Sequence, residues 1–369
     1  NRHTNFDRQV YYSGTTQGSI TDQWLEEYQN SDELLPYSAG LASGADIFVE
    51  DNTGQVTTDY ELDGRLPQKK QENISSTGGH GEMVVGFAAN YDHKIYFGLT
   101  LGIPIVSYEL NRQYQENQEM VDNSIFFDQL NYNERLEQSG AGINAKLGMI
   151  YRVNQMLRLS AYYHTPSVIS LLDEFNNSLD YSYYDQNRNI VTATNSYPPN
   201  GETLNFEYQI VTPGQVGGGA SVIIGKGGFV SGEVSYTNYS SARFDFDSDL
   251  STSDDLEYER ELNQRIDDTY GGAWTFRLGG ELALDILRFR LGTILTQRPF
   301  ANDNKLDPTY TGGLGLRFNK FFVDFAYRRA TRKASYSPYT IADQNTFPVQ
   351  KVSTEDINSD YFLTFGFRF

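Results

Sequence analysis

The sequence predicts an all-β protein, a transmembrane antiparallel outer-membrane β-barrel of about 12 strands with long loops at one end, organised as a single domain over residues 1–369. Three observations carry this expectation. The stretch Tyr361-Phe-Leu-Thr-Phe-Gly-Phe-Arg-Phe369 alternates, with Tyr361, Leu363, Phe365, Phe367 and Phe369 on one face, and a period of two is a strand with one apolar face. Composition is the second: 27 Tyr and 23 Phe make the chain 14% aromatic, yet its mean hydropathy is −0.53. No apolar run reaches the roughly 18 residues of a membrane helix, whereas barrel strands alternate and average out. The third is punctuation, in which tight turns and long polar segments succeed each other. A soluble edge strand shows the same alternation, but soluble proteins rarely leave such a strand unpaired.

In chain order, residues 4–12 read as the end of a strand. Residues 13–73 hold 12 Asp+Glu against 3 Lys+Arg and are expected to form a large extracellular loop, with helical pieces near 19–28 and 34–45. Such a length suits a barrel loop better than a soluble domain. Five hairpins follow: 77–91 with 94–109 across Asp92-His93, 130–152 with 156–167 across Asn154-Gln155, 204–225 with 228–243 across Lys226-Gly227, 271–284 with 287–297 across Asp285-Ile286, and 309–318 with 321–332 across Asn319-Lys320. Each turn suits a two-residue connection. The segments 110–129, 168–203, 244–270, 298–308 and 333–358 are expected loops, and 254–268 in the acidic loop 244–270 is expected to be a short helix. Short turns then face the periplasm and long loops the exterior.

Alternation fixes the two faces. Phe97, Leu99 and Leu101 oppose Gly98 and Thr100, Leu287, Phe289 and Leu291 oppose Arg288 and Arg290, and Phe321, Val323 and Phe325 oppose Asp324. Glycine, threonine and isolated charges suit a crowded polar lumen. By this phase Lys146, Arg158, Arg277, Arg288, Arg290, Arg317 and Arg368 face inward, with Glu233, Glu281 and Asp324.

Composition also excludes chemistry. Zero Cys removes disulfides and thiolate sites, and a net charge of −19 argues against nucleic acid. The four histidines, His3, His80, His93 and His164, have no mutual ligand spacing, and no nucleophile motif accompanies His164. The run Asp245-Phe-Asp-Ser-Asp-Leu250 resembles the start of a calcium loop, but Leu250 and Leu256 stand where the EF-hand needs Gly and Glu. No enzyme, metal or cofactor is expected.

Several motifs together resemble one family. They are Tyr163-His-Thr-Pro-Ser-Val-Ile-Ser-Leu-Leu-Asp-Glu-Phe175; Thr212-Pro-Gly-Gln215 with Gly225-Lys-Gly-Gly228 and Glu233-Val-Ser-Tyr-Thr-Asn-Tyr-Ser-Ser-Ala-Arg243; and Ser76-Thr-Gly-Gly-His-Gly-Glu-Met83 with Leu101-Gly-Ile-Pro104. The chain resembles, along its whole length, the FadL/TodX family of outer-membrane transporters for hydrophobic compounds, in the branch sometimes labelled haemin receptors. The resemblance implies a monomeric barrel of about 14 strands in the bacterial outer membrane, its lumen closed by an N-terminal hatch. It implies passive uptake of small hydrophobic molecules, such as long-chain fatty acids or aromatic hydrocarbons, with capture at the loops and exit sideways through the wall. The hatch with its Asn-Pro-Ala motif and the first two strands have no counterpart here, so a truncated, cleaved or incompletely assigned chain is expected. Implied partners are outer-membrane lipid and lipopolysaccharide, the hydrophobic substrate, the missing hatch segment, and the assembly machinery, which reads the strand ending at Phe369. Were the haemin label literal, His80 would be the candidate axial ligand.

Two groups of candidate residues follow. Pro104 and Pro213 interrupt strands; either they open a lateral path, or Pro104 marks a bulge with no transport role and Pro213, with Gly217-Gly218-Gly219, a close backbone approach or a kink. Arg158, Arg277, Arg288, Arg290 and Arg317 either hold a substrate carboxylate, since arginine binds carboxylates bidentately, or form a structural ladder of lumenal ion pairs. An alternative function from another class is a structural or interaction barrel whose acidic extracellular loops bind a partner protein.

Overall fold

The computed structural model describes residues 2–31, 34–119, 124–246, 251–341 and 351–367, without the side chains of residues 2–6. The expectations placed on Arg368, Phe369 and residues 247–250, and on the side chain of His3, lie outside that description.

Strand β1 (Arg2–Thr16) leads into helices α1 (Ile20–Asn30) and α2 (Ala39–Gly44), a hairpin of β2 (Phe48–Glu50) and β3 (Val56–Thr58), and α3 (Asp59–Leu62). Then come β4 (Gln68–Tyr91), β5 (Ile95–Gln118), β6 (Phe127–Arg152), β7 (Leu157–His164), β8 (Val168–Tyr184) and β9 (Ile190–Tyr197). They are followed by β10 (Leu204–Val211), β11 (Gln215–Ile223), β12 (Gly228–Asn238), β13 (Arg243–Asp245) and helix α4 (Ser253–Thr269). The remaining strands are β14 (Gly272–Leu284), β15 (Leu287–Gln297), β16 (Leu306–Arg317), β17 (Phe321–Tyr336) and β18 (Val352–Phe367).

Twelve strands succeed one another around the wall in the order β1-β4-β5-β6-β7-β11-β12-β14-β15-β16-β17-β18, and the sheet curls into a nearly closed barrel. Above the wall, β8 continues β7 and pairs with the outer half of β6, β10 pairs with β8, and β13 pairs with β10. Residues 4–12 pair with β4, from Thr4↔His80 to Tyr12↔Glu72, and not with β18. The two edge strands meet through an ion pair, Arg8 Nε to Asp356 Oδ1 at 3.3 Å.

The turn end follows the sequence closely. Asp92 and His93 both take positive φ, 49° and 51°, and Lys94 N–H donates to Tyr91 O at 3.0 Å, which is the two-residue type I′ hairpin that matches strand twist. Two expected two-residue turns are longer. Asn154 Oδ1 accepts the N–H groups of Met156 and Leu157, each at 2.8 Å, so residues 153–156 form an Asx-stabilised turn. Residues 224–227 turn at Gly225, with φ 53°.

The outer end departs from expectation. Segments 110–118, 127–129, 168–184 and 190–197, expected as loops, are strand. Their polarity misleads because these strands stand in water on one face and clasp a folded cap on the other. Tyr114, Phe127, Leu130, Leu179 and Tyr181 are all 0% exposed, although polar neighbours dilute them in the sequence. β5, at 24 residues, is roughly 80 Å long at about 3.4 Å per residue, where about 9–11 residues cross a bilayer.

Only the turn-proximal half of the wall is coated with apolar residues. On β5 the outward residues from Ile95 to Ile105 are all apolar, and Ser107, Glu109 and Asn111 follow. Ten residue steps at about 3.4 Å, tilted by about 40°, give a band roughly 25 Å tall, the height of a membrane barrel's apolar belt. Phe97, Leu101 and Leu291 are 50%, 47% and 77% exposed, so the described residues leave this apolar band uncovered, as on the wall of a membrane barrel.

Candidate functional site

Three levels of the interior are distinct: a capped mouth, a belt of strand interruptions, and a lumen crossed by ion pairs. The cap comprises α1, α2, the β2–β3 hairpin and α3. Ser19 N-caps α1 in a capping box with Asp22, which leaves Ile20 and Trp24 on the face that meets Tyr114, Leu130, Tyr132 and Leu179 of the wall. Helix α2 approaches β9 so closely that a Cβ on Gly44 would lie 2.1 Å from Asn195 Nδ2.

Polar anchors fix the cap. Asp63 accepts the N–H groups of Phe126 and Phe127 at 2.7 and 2.8 Å, and Tyr181 donates to Asp59 at 2.9 Å. Ser19 Oγ and Ile20 N–H both donate to Glu116, at 2.5 and 2.9 Å. The end of β17 and the strap after it join them: Lys70 donates to Tyr339 Oη at 2.8 Å, Arg112 to Pro338 O at 2.7 Å, and Tyr336 to Glu72 at 2.7 Å. Burial raises the Asp22 and Asp59 carboxyls to about 6, against the pull of Arg65 on Asp22, and lowers Lys70.

Below the cap the ladder breaks at one height. The β5–β6 pairing runs from Gly102↔Asn144 to Ile105↔Ala141 and omits Ile103 and Pro104, because proline has no N–H to give. Next around the wall, Ile143↔Val168 and Lys146↔His164 enclose three steps on β6 but four on the β7–β8 side, a bulge at Thr165-Pro166-Ser167. Its neighbour skips Thr212-Pro213-Gly214 while keeping register, from Val211↔Val168 to Gln215↔His164. β5 itself runs on through Pro104, which pairs with Glu82 of β4, so only its β6 side is interrupted there, and Gly142, Pro166 and Pro213 lie level with it.

Unpaired backbone at membrane depth costs several kcal/mol per group, and here hydroxyls replace the missing ladder bonds. Ala145 N–H donates to Thr165 Oγ1 at 3.0 Å and Ser167 N–H to Thr212 Oγ1 at 2.9 Å. On the lumenal side a cavity of about 480 Å³ is lined by His80, Glu82, Asn144, Lys146 and His164. Lys146 pairs with Glu82, Asn144 Nδ2 donates to Glu82 at 3.0 Å and to Ser167 Oγ at 3.1 Å, and His164 packs on Tyr162 at 5.0 Å between ring centroids.

Lower still, four of the five expected arginines stand in an ion-pair ladder. Arg277 meets Glu233 at 2.7 Å, Arg290 bridges Glu281 and Asp324 at 2.7 and 2.8 Å, Arg317 grips Asp324 with two bonds of 2.8 Å, and Arg288 lies 3.6 Å from Glu281. Gly315 makes room, since a Cβ there would be 2.4 Å from Asp324 Oδ1. Arg158 lines the lumenal cavity of about 620 Å³ beside this ladder. Sequence reasoning missed Glu82, Asn144 and the hydroxyls of Thr165 and Thr212. Strand phase could have placed Glu82 inward, but only register brings it to Lys146.

No family model matches the chain, and no curated protein matches its sequence. Solved structures do resemble it. The CymD monoaromatic hydrocarbon channel is 11% identical, with 98% of this chain and 87% of that one covered at a TM-score of 0.42. A Pseudomonas aeruginosa FadL homologue is 12% identical, covers 87% and 85%, and has a TM-score of 0.40. The Ralstonia pickettii toluene transporter TbuX is 12% identical, with 80% of each chain covered at 0.36. The barrel itself rests on the strand ladder and the apolar band.

Proposed function

We propose that this barrel, placed in a bacterial outer membrane with its tight turns toward the periplasm, carries small hydrophobic molecules passively across it, as a FadL/TodX-type transporter without catalysis. The observation that carries the reading is the lumenal wall at mid-height, where Gly98, Gly148, Gly219, Gly279, Gly292 and Gly313 present no side chain. A Cβ on Gly148 would meet no atom within 4 Å, so there is open space beneath the capped mouth. An apolar solute descending from the cap core, rich in Tyr and Phe, meets backbone and methylene surface there, and the ion pairs beside it are already neutralised. In this reading the belt at Pro104, Gly142, Pro166 and Pro213 is the lateral way out of the lumen.

The similar structures name monoaromatic hydrocarbons and toluene for their own proteins, so radiolabelled toluene and a long-chain fatty acid are the first solutes to test. Cells expressing the chain should take up one of them faster than control cells, and Gly148→Trp or Gly98→Trp, where a Cβ would meet open space, should abolish the gain while the barrel still assembles. Uptake equal to the control for both solutes would sink the proposal. The cap's own hydrophobic core is the feature that favours the interaction-barrel reading; capture of a specific partner by the cap, without uptake, would decide for it.

A further inference from the structure

Arg152 ends β6 and Arg158 lies in β7, and the register sets them directly opposite each other. Both share the lumenal phase of Lys146, Ile150 and Tyr162, and Ile150 and Arg158 line the 620 Å³ cavity. Residues so placed have Cβ atoms about 4.5–5.5 Å apart, and like charges there destabilise the pair. Lys146, Arg277, Arg288, Arg290 and Arg317 each have a carboxylate within 3.6 Å. Neither Arg152 nor Arg158 forms a side-chain ion pair or hydrogen bond among the described residues.

Carboxylates are not scarce in this chain, which has 48 Asp+Glu against 29 Lys+Arg. Arg158 at the cavity's edge, with Arg152 opposite it, is therefore a local concentration of uncompensated positive charge to which an anion from elsewhere is drawn. The flanking residues fit one. Ser221 stands opposite Arg158 on its other side and Ser160 two residues along the same face, so hydroxyl donors adjoin the guanidinium groups, and Ile150 adds apolar surface.

We infer that Arg152 and Arg158 form an anion-binding site at the turn end of the lumen, taking a single oxyanion between two guanidinium forks. Planar guanidinium groups suit carboxylate and phosphate oxygens, each able to give two parallel N–H···O bonds. The inference rests on the transport reading in one respect: the anion reaches the site through an open lumen. A carboxylate borne by an apolar solute would lay its hydrocarbon against Ile150 and the bare backbone at Gly219, whereas a free anion would use the forks alone.

Calorimetry on the full chain in detergent at low salt tests it, with 4-ethylbenzoate, its neutral isostere 4-ethylbenzamide, and inorganic phosphate as probes. The benzoate should bind at least tenfold more tightly than the benzamide and lose affinity as salt rises. Arg152→Gln and Arg158→Gln should each weaken it tenfold or more, with Arg158→Lys intermediate. Phosphate binding as well as benzoate would support the site and identify its occupant as a free anion; benzoate alone would identify an apolar acid. The anion-free glutamine variants should melt no lower than the parent, since they relieve repulsion. Absence of binding by both anions, or binding unchanged in the double variant, would overturn the inference. Anion binding without uptake of any hydrophobic solute would instead sink the transport reading and leave this site standing.

Discussion

Replacing Asp59 by Asn should tighten the cap at neutral pH, although it removes a charge from a hydrogen-bonded site. Asp59 is 5% exposed, and burial raises its carboxyl from 3.8 to about 6, more than the 2.9 Å bond from Tyr181 lowers it, with the nearby Asp63 charge adding to the rise. A pKa higher in the docked cap than in the released one means that docking takes up a proton. The docked state therefore has its full share of this contribution below about pH 4 and loses it as pH rises to about 6. A shift of roughly two units corresponds to on the order of 3 kcal/mol. Asp22 has the same sign, with burial again outweighing Arg65, and Asp63 is raised as well. Lys70, lowered by burial, acts with the opposite sign on the alkaline side.

Asn keeps an acceptor for Tyr181 and cannot ionise, so above about pH 6 the variant cap should be more firmly docked by up to about 3 kcal/mol. The assay uses tryptophan. Trp24 is 2% exposed in the cap core and Trp274 is 45% exposed on the wall, so in a Trp274→Phe background acrylamide quenching reports cap opening alone. Quenching should increase from about pH 4 to 6 in the parent and rise less in Asp59→Asn. Constant quenching across that range, or a looser cap in the variant at pH 7, would refute the reasoning.

Three further outcomes can be checked. Leu291→Arg, on the lipid face, should cost roughly 2–4 kcal/mol near the membrane midplane, and Arg290→Leu should cost less; reversed costs in urea unfolding would mean the phase of β15 is wrong. Asp63→Ala removes the acceptor for two backbone N–H groups, each worth about 1.5–3 kcal/mol when the acceptor is charged, so the cap should be cut by protease at lower concentration while the barrel survives; an unchanged digestion pattern would show that the anchor is redundant. Since the chain has no Cys, Asp92→Cys should resist an impermeant thiol reagent in intact cells and Thr53→Cys should react, and equal labelling would contradict the proposed orientation.

The sequence by itself determined the architecture of the membrane part. Strand alternation is a local property, and Ile95 to Ile105 or Phe321 to Phe325 declare an apolar face whatever they pair with. Turn chemistry is equally local, which is why Asp92-His93 and Asp285-Ile286 were legible, whereas Asn154, whose side chain builds its own turn, made a longer connection than its neighbours suggested. The helices at 20–30 and 253–269 were legible as pieces near 19–28 and over 254–268.

Tertiary structure alone decided the rest. Polar strands above the membrane read as loops because their burial comes from the cap and not from their own period: Tyr114 and Leu130 are core residues only because α1 and α2 lie on them. Register decided the chemistry. It aligned Pro104, Pro166 and Pro213 at one height, gave Arg277, Arg290 and Arg317 their carboxylates, and set Arg152 against Arg158 with none. A one-residue slip in any ladder would exchange lumen for lipid at every position of that strand, and no local signal within a strand records which neighbour its inward charges will meet.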